Sequence, residues 1–260
     1  MARQKITVLI PAFNEEHNIR DCIESVAWAD EILVVDSYSA DRTLEIAREY
    51  TDRIIQHEYI NSAAQKNWAI PQARHAWVMI VDADERVTPQ LRDEILATLE
   101  NPGAYAGFRM YRQNHFMGKP INYCGWQHDD VLRLFLRDKG RYQEREVHAD
   151  VIVDGKVGAL HNKLPHFTFR SFEQYMQKFD RYTDWAAHDR ARTTSKVRWY
   201  HLTLRPLWRF FRQYILYRGF LDGTAGLIIC SLAAYSVFMK YARLWTMQQK
   251  NKSSNATPPR

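Results

Sequence analysis

Cysteine is scarce in this chain: only Cys22, Cys124 and Cys230 occur, widely spaced and without a CxxC pair. That arrangement argues against a disulfide scaffold and a structural zinc site, and a reducing compartment is the expected home. The opening residues, MARQKITVLIPAFNEE, lack the long apolar core of a signal peptide, so the N-terminal part is expected in the cytoplasm. GxxxxGK[ST] and GxGxxG are both missing, which excludes a P-loop kinase and a typical dinucleotide enzyme. HExxH is missing too, and without GxSxG the commonest α/β-hydrolase reading also goes. Acid is nearly absent from one end. Residues 190–260 hold 13 Lys/Arg against a single acid, Asp222, whereas residues 1–189 hold 23 Lys/Arg against 29 Asp/Glu.

What is present is apolar and aromatic. At 46% hydrophobic and 13% aromatic, 260 residues bury a substantial core, and whole-chain disorder is excluded. The first hundred residues alternate strand and helix patterns. Lys5–Pro11, Glu31–Asp36, Arg53–His57 and Ala76–Val81 read as strands. Helices are expected after Asn14 (as its cap), over Ser39–Tyr50, over Asn61–Arg74 until Pro71, and from Thr88-Pro89 onward. Further on, Ala106–Arg112, Val131–Arg137 and His148–Val153 read as strands, residues 171–190 as a helix and residues 248–260 as a disordered tail. Alternation of this kind predicts an α/β fold with helices on both faces of the sheet. Ligands of such folds bind at the carboxyl ends of the strands, so the polar residues there are the ones to examine.

Asp82-Ala83-Asp84 closes the most hydrophobic strand. Two carboxylates one residue apart can share Mg²⁺ or Mn²⁺, which prefer oxygen ligands and hold phosphate oxygens too. With 17 Asp in the chain, chance supplies about one DxD, so strand-end position carries the argument. Asp36 closes the second strand, suited either to ribose hydroxyls or a pyrimidine N–H, or to capping the Ser39 helix. Lys66, in Gln65-Lys66-Asn67, is either solvated or in reach of a diphosphate.

The stretches IPAFNEEHNIRDCIESV, ADEILVVDSYSADRTLEIA, AAQKNWA and VMIVDADERVTPQL together resemble the nucleotide-sugar domain of family-2 glycosyltransferases with the GT-A fold. GWQHDDVLRLF, Val147-His148 and the segment RPLWRFF…YARLW resemble bacterial lipopolysaccharide-core β-glucosyltransferases. The resemblance implies a nucleotide sugar, commonly UDP-glucose, a divalent cation (Mg or Mn) and an inverting displacement. It implies nucleoside contacts at Pro11, Ala12, Asn14, Glu15 and Asp36, and a metal–diphosphate site at Asp82 and Asp84 with Lys66 nearby. Glu144 fits the position of the base, with Glu146 next and Asp129 and Asp130 behind. His148 fits a third metal ligand or, alternatively, a core histidine. Gln143 stands where relatives carry another acid, and Ala149-Asp150 follows the histidine in place of Glu.

Thr224–Met239 is sixteen residues without a charge, short of the roughly 20 that a straight membrane span needs. Arg205, Arg209, Arg212, Arg218, Lys240 and Arg243 surround it among many aromatics, a composition suited to an anionic membrane surface. A helical hairpin packed on the catalytic domain or in a homo-oligomer is the alternative. The expected organisation is a catalytic domain over 4–190, a membrane-associating helical region over 191–247 and a tail over 248–260. The expected function is transfer of a hexose to a lipid-anchored saccharide, the lipopolysaccharide inner core, by an enzyme peripheral or monotopic on the cytoplasmic face of the bacterial inner membrane. Sugar transfer to a polyprenyl phosphate and an inactive nucleotide-sugar-binding protein are the alternatives. Nucleic acid is not expected as a partner, because the basic segment is interleaved with apolar runs.

Overall fold

The apolar runs of the first half form the centre of a mixed sheet in the computed structural model, which describes residues 3–143, 150–169 and 171–255. Strands β1 (Ile6–Ala12), β2 (Glu31–Asp36), β3 (Ile54–Gln56) and β4 (Trp77–Ile80) run parallel, in the spatial order β3-β2-β1-β4. Beyond β4 the sheet continues through β7 (Asp130–Leu136), β5 (Tyr105–Phe116) and β10 (Lys156–Ala159), with β7 antiparallel to both β4 and β5. Short strands β6 (Lys119–Pro120) and β11 (Leu164–Phe169) pair with β5, while β8 (Gly140–Tyr142) and β9 (Val151–Val153) form a separate ribbon. The α/β class expected from the sequence holds.

Strand alternation feeds two apolar layers. Ile6, Val8 and Ile10 of β1 with Trp77 and Met79 of β4 pack on α1 (Ile19–Ser25) and α4 (Pro89–Glu100). Leu9, Val78 and Ile80, one residue out of phase, pack on α3 (Ser62–Ala69). Register then aligns the strand ends: Ala12 sits opposite Asp36, and Val81 N–H donates to Leu9 C=O at 3.0 Å. The carboxyl ends of β1, β2 and β4 therefore open on one edge.

Several helices differ from expectation for local reasons. Asn14 does not cap α1; it takes a left-handed φ of 55°, and its side-chain Oδ1 accepts from Ala40 N–H at 2.9 Å. The second helix, α2 (Thr43–Arg48), starts four residues later than Ser39 because Asp36 and Asp41 hold the intervening turn, accepting from Ser39 N–H and Thr43 N–H at 3.0 Å each. Asn61 caps α3, accepting from Ala64 N–H at 2.8 Å, and Pro71 turns its end into a short 3₁₀ helix. Thr88 and Pro89 open α4 as expected, with Thr88 accepting from Leu91 N–H at 3.2 Å.

The chain forms two compact units: residues through Gln113 with His128–Phe167, and Asn114–Gln127 with the chain from Thr168 onward. Helix α5 (Phe172–Ala191) thus belongs to the second unit, whereas the sequence reading placed it in the catalytic domain. The second unit also holds α6 (Trp199–Leu202), α7 (Leu204–Phe211) and the long α8 (Gly223–Asn255). Helix α8 runs past residue 248, where a disordered tail was expected. Gln248 explains part of this, accepting from Val197 N–H and donating to Thr194 C=O at 3.0 Å each.

At the edge opposite the strand carboxyl ends, Glu31 is almost fully buried and accepts from Thr7 Oγ1 at 2.6 Å, Arg74 N–H at 2.8 Å and Arg53 Nε at 2.8 Å. Burial opposes its charge, but these donors overcome it and hold the carboxyl below the usual glutamate range. A depressed native pKa stabilises the fold above the unfolded value of about 4.3, and that stability disappears as pH falls through the native one. Glu31→Gln is expected to lose about 1–3 kcal/mol at pH 7. The gap from wild type should narrow in urea unfolding below about pH 4; a gap of constant size would count against the ionised, hydrogen-bonded carboxylate.

Candidate active site

After β4 the chain turns sharply. Glu85 N–H donates to Asp82 C=O at 2.8 Å, and Asp82 N–H donates to Glu85 Oε2 at 2.9 Å. Glu85 is fully buried, which a carboxylate tolerates only when paired. Its partner is Arg133 of β7, whose Nη2 donates to Glu85 Oε1 at 2.7 Å and also to Asp82 Oδ2. The other oxygen of Asp82 meets Lys66 Nζ at 2.8 Å. Two acids and two cations are thus interlocked. Burial disfavours the Asp82 charge, yet Arg133 and Lys66 win and hold its carboxyl far below the ordinary range. Burial likewise opposes the Lys66 ammonium, but Asp82 raises it above the usual lysine value.

Helix α3 fixes this cluster through three consecutive residues. Gln65 donates to Ser37 Oγ at 2.6 Å and Val35 C=O at 3.2 Å, anchoring the end of β2. Lys66 meets Asp82 at the end of β4. Asn67 donates to Tyr142 C=O at 2.9 Å and accepts from Tyr142 N–H at 2.8 Å, anchoring β8. Lys66 Nζ also lies 5.2 Å from the centre of the Tyr142 ring. Between these elements opens a cavity of about 350 Å³, lined by Lys66, Asp82, Arg112, Asp129, Asp130, Arg133, Tyr142 and Asp150 among others. Arg112 grips Asp129 through two bonds of 2.9 and 2.8 Å, and Arg109 meets Asp130 at 2.5 Å.

Asp84 points to a different neighbour. Its Oδ2 lies 3.4 Å from His166 Nε2, and Phe167 N–H donates to Asp84 C=O at 2.8 Å. A β-bridge between Glu85 and His166 holds β11 alongside. Among the described residues no three ligating side chains converge as a finished metal site. The Asp84 carboxylate is nevertheless the kind of oxygen ligand that Mg²⁺ and Mn²⁺ prefer, and both ions complete their shells with water and phosphate oxygens.

The nucleoside residues expected from the sequence lie at the ends of β1 and β2. Pro11 and Ala12 finish β1, with Ala12 C=O accepting from Ser37 N–H at 2.9 Å. Glu15 N–H donates to Thr43 Oγ1 at 2.7 Å, and its carboxylate accepts from Asn18 at 2.6 Å. Asp36 is fully buried and accepts from Ser39 Oγ at 2.5 Å and Gln56 at 3.0 Å. It therefore organises a turn and does not cap a helix. Glu144, Glu146 and His148 lie outside the described residues. Sequence reasoning missed Glu85, Arg133 and His166. For Arg133 a signal existed: a lone arginine inside the apolar run VLRLFL demands a buried partner.

A family model described as Glycosyl transferase family 2 matches residues 7–153. The chain is 29% identical over 251 residues to a lipopolysaccharide core biosynthesis glycosyltransferase, LpsC, of Rhizobium meliloti (strain 1021), covering 91% of this chain and 93% of that one. It is 28% identical over 262 residues to an uncharacterized glycosyltransferase of Rickettsia felis, covering 96% and 93%. Among solved structures it is similar to S. aureus TarS 1-349, with a TM-score of 0.46 at 16% identity over 96% of this chain and 92% of that chain.

Arg133→Met would strip both Asp82 and Glu85 of a buried cation. Such unpaired charge costs about 3–5 kcal/mol, and adding Glu85→Gln should recover part of it. Urea unfolding of the single and double variants checks this; a single variant as stable as wild type would contradict the interlocked cluster.

Proposed function

This chain belongs to glycosyl transferase family 2, and on that premise we propose that it moves a hexose from a UDP-sugar, UDP-glucose in the favoured reading, onto a lipid-anchored saccharide with inversion. The proposed acceptor is the inner core of lipopolysaccharide. The observation that carries the reading is Asp82-Ala83-Asp84 at the carboxyl end of β4, with Lys66 paired to Asp82 at the cavity wall.

In this reading Pro11, Ala12, Asn14, Glu15 and Asp36 receive the nucleoside. Asp36 Oδ2 already accepts from Ser39 N–H and Gln56, whereas Oδ1 accepts only from Ser39 Oγ and keeps a lone pair for one more donor. Asp84 and His166 would hold the divalent cation, with Asp82 beside them. When bound, such a cation neutralises charge on a departing diphosphate. Lys66 offers that diphosphate a buried ammonium, and Arg133 keeps Asp82 ionised and aimed.

Glu144 is the proposed base that removes the proton from the attacking hydroxyl, with Glu146 as runner-up. Tyr142 and Asp150, on either side of that segment, both line the cavity. Asp129 and Asp130 line it too, but each carboxylate is already engaged in an ion pair, with Arg112 and Arg109 respectively.

The second unit is proposed to rest on the cytoplasmic face of the bacterial inner membrane. By length and composition alone the helical stretch Gly219–Lys250 qualifies to cross a bilayer, and only 22% of its apolar window is buried. Leu204, Leu207, Trp208, Phe211 and Ile215 are all exposed nearby.

Asp84→Asn is expected to lower kcat/KM at least about 10²-fold, on the order of 3 kcal/mol, with an unchanged melting temperature. EDTA should abolish UDP release and Mn²⁺ restore it; full activity in EDTA would end the metal-dependent reading. Glu144→Gln should bind UDP-sugar normally but transfer poorly. Should Glu144→Gln, Glu146→Gln and Asp130→Asn all stay active, the acceptor supplies its own oxyanion, as a polyprenyl phosphate does, and the lipopolysaccharide assignment falls; a dead Glu146→Gln beside an active Glu144→Gln moves the base to Glu146.

A further inference from the structure

The basic residues around α7 and α8 do not share one role. Arg243 pairs with Asp180 and, at 3.3 Å, with Asp184 of α5. Arg212 donates to Tyr217 Oη at 3.0 Å through Nε, and Arg218 occupies a left-handed turn at φ 55°. Arg205 donates to Tyr241 Oη, and its guanidinium carbon lies 5.2 Å from the centre of that ring. Lys240 Nζ lies 5.0 Å from the same centre. Tyr241 is buried, so one fixed ring gathers two cations.

Among the described residues no carboxylate pairs with either cation. Asp222, the one acid after residue 189, is spent on Asn122 N–H and Tyr123 N–H at 3.0 and 2.9 Å. Among the described residues neither Arg209 nor Lys240 has a carboxylate partner. Burial, followed by the charges of Arg190, Arg205 and Arg209, pushes the Lys240 ammonium below the usual lysine range. Burial followed by Arg212 does the same to Arg209. Like charges brought together without an acid destabilise the fold, so an anion from outside is the group that completes the cluster.

Helix α7 shows what kind of molecule brings that anion. Leu204, Trp208 and Phe211 follow helical spacing along one exposed side of α7, and Ile215, in the π-helical turn that follows, is exposed as well. Phe210 and Tyr214 turn the other way, into the cluster of Cys124, Ile229 and Cys230. Arg205 and Arg209 occupy a third side, about 100° round the helix from the exposed apolar row. Apolar depth with cations at its flank is the profile of a segment lying in a headgroup layer. Helix α8 is not free to cross a bilayer alone, because Tyr241 and Leu244 pack against Ala187 and Val197.

We propose that α7 and α8 form a phosphate-recognition site for membrane lipid headgroups, in which Arg205, Arg209 and Lys240 receive phosphate oxygens while Leu204, Trp208, Phe211 and Ile215 enter the acyl boundary. This rests on the membrane reading above and adds to it a defined headgroup site in an in-plane segment.

Flotation of the full chain with vesicles of phosphatidylcholine alone, or mixed with phosphatidylglycerol, tests it. Each surface cation is worth about 1 kcal/mol near an anionic leaflet, so phosphatidylglycerol should raise wild-type affinity at least about tenfold. Arg209→Gln/Lys240→Gln should cut that gain below about twofold while binding to phosphatidylcholine persists; Arg48→Gln, on exposed α2, should keep it. Trp208→Glu should lose both vesicles. A gain that survives the double variant overturns the headgroup site and leaves the membrane reading standing. A wild type that floats with neither vesicle overturns both. Loss of the gain in millimolar inorganic phosphate assigns the site to a free anion and overturns the headgroup assignment. If the double variant lacks a cooperative melt, Lys240→Met alone is judged on the same criterion.

Discussion

Asp82 at the cavity wall and the fully buried Glu85 are held by Arg133 and Lys66, and the architecture around the cavity depends on that charge balance. Glu85 cannot stay ionised in its buried position without its cation, and neither Lys66 nor Arg133 can be buried without the acids. Strand β7, antiparallel to β4, carries Arg133 to the DxD turn, and helix α3 carries Lys66 there across the ends of β2 and β4. What looks like a loop motif is a four-residue neutral core of charge.

That balance also gives the proposed chemistry its logic. A nucleoside diphosphate brings negative charge to a site whose acids are already matched. Accepting it means sharing Lys66 and Arg133 with the phosphates, or adding a cation of its own beside Asp84 and His166. The separate environments of the two aspartates fit that division: Asp82 is locked by protein cations, and Asp84 faces an imidazole. The expectation that both aspartates belong to one metal–diphosphate site treated them as equivalent, which their surroundings do not.

The sequence made the central strands legible because buried parallel strands are apolar without interruption, as in TVLIPA, ILVVD and WVMI. It also made Thr88-Pro89 legible, since that capping chemistry is local. It failed where side chains act across long separations. The turn at Asn14 comes from bonds between residues about 25 apart, such as Asn14 to Ala40, and the late start of α2 from aspartate side chains that compete locally with the helix. Strands β10 and β11 are short and half-exposed, without a periodic signature, so the sequence reading passed over them. Asp82, Asp84, Asp36 and Lys66 stood out as polar residues at strand ends or in a distinctive tripeptide. Glu85 and His166 did not, because their partners elsewhere in the chain lie about 50 or more positions away; Arg133 carried one local mark, its place inside the apolar run VLRLFL, but nothing there names its partners.

Gln65, Lys66 and Asn67 hold three different strands from three successive positions on one helix. Successive helical residues diverge by about 100°, so no flat surface could use all three; α3 sits in a concave corner that touches it from several directions. Such a helix cannot drift by insertion or deletion. One extra residue ahead of Gln65 would swing every contact to its neighbour's direction, putting the ammonium where an amide belongs. Substitutions can accumulate on the outer side of this helix, but its length up to residue 67 is fixed by geometry, and evolutionary change in the chain has to route its gaps elsewhere.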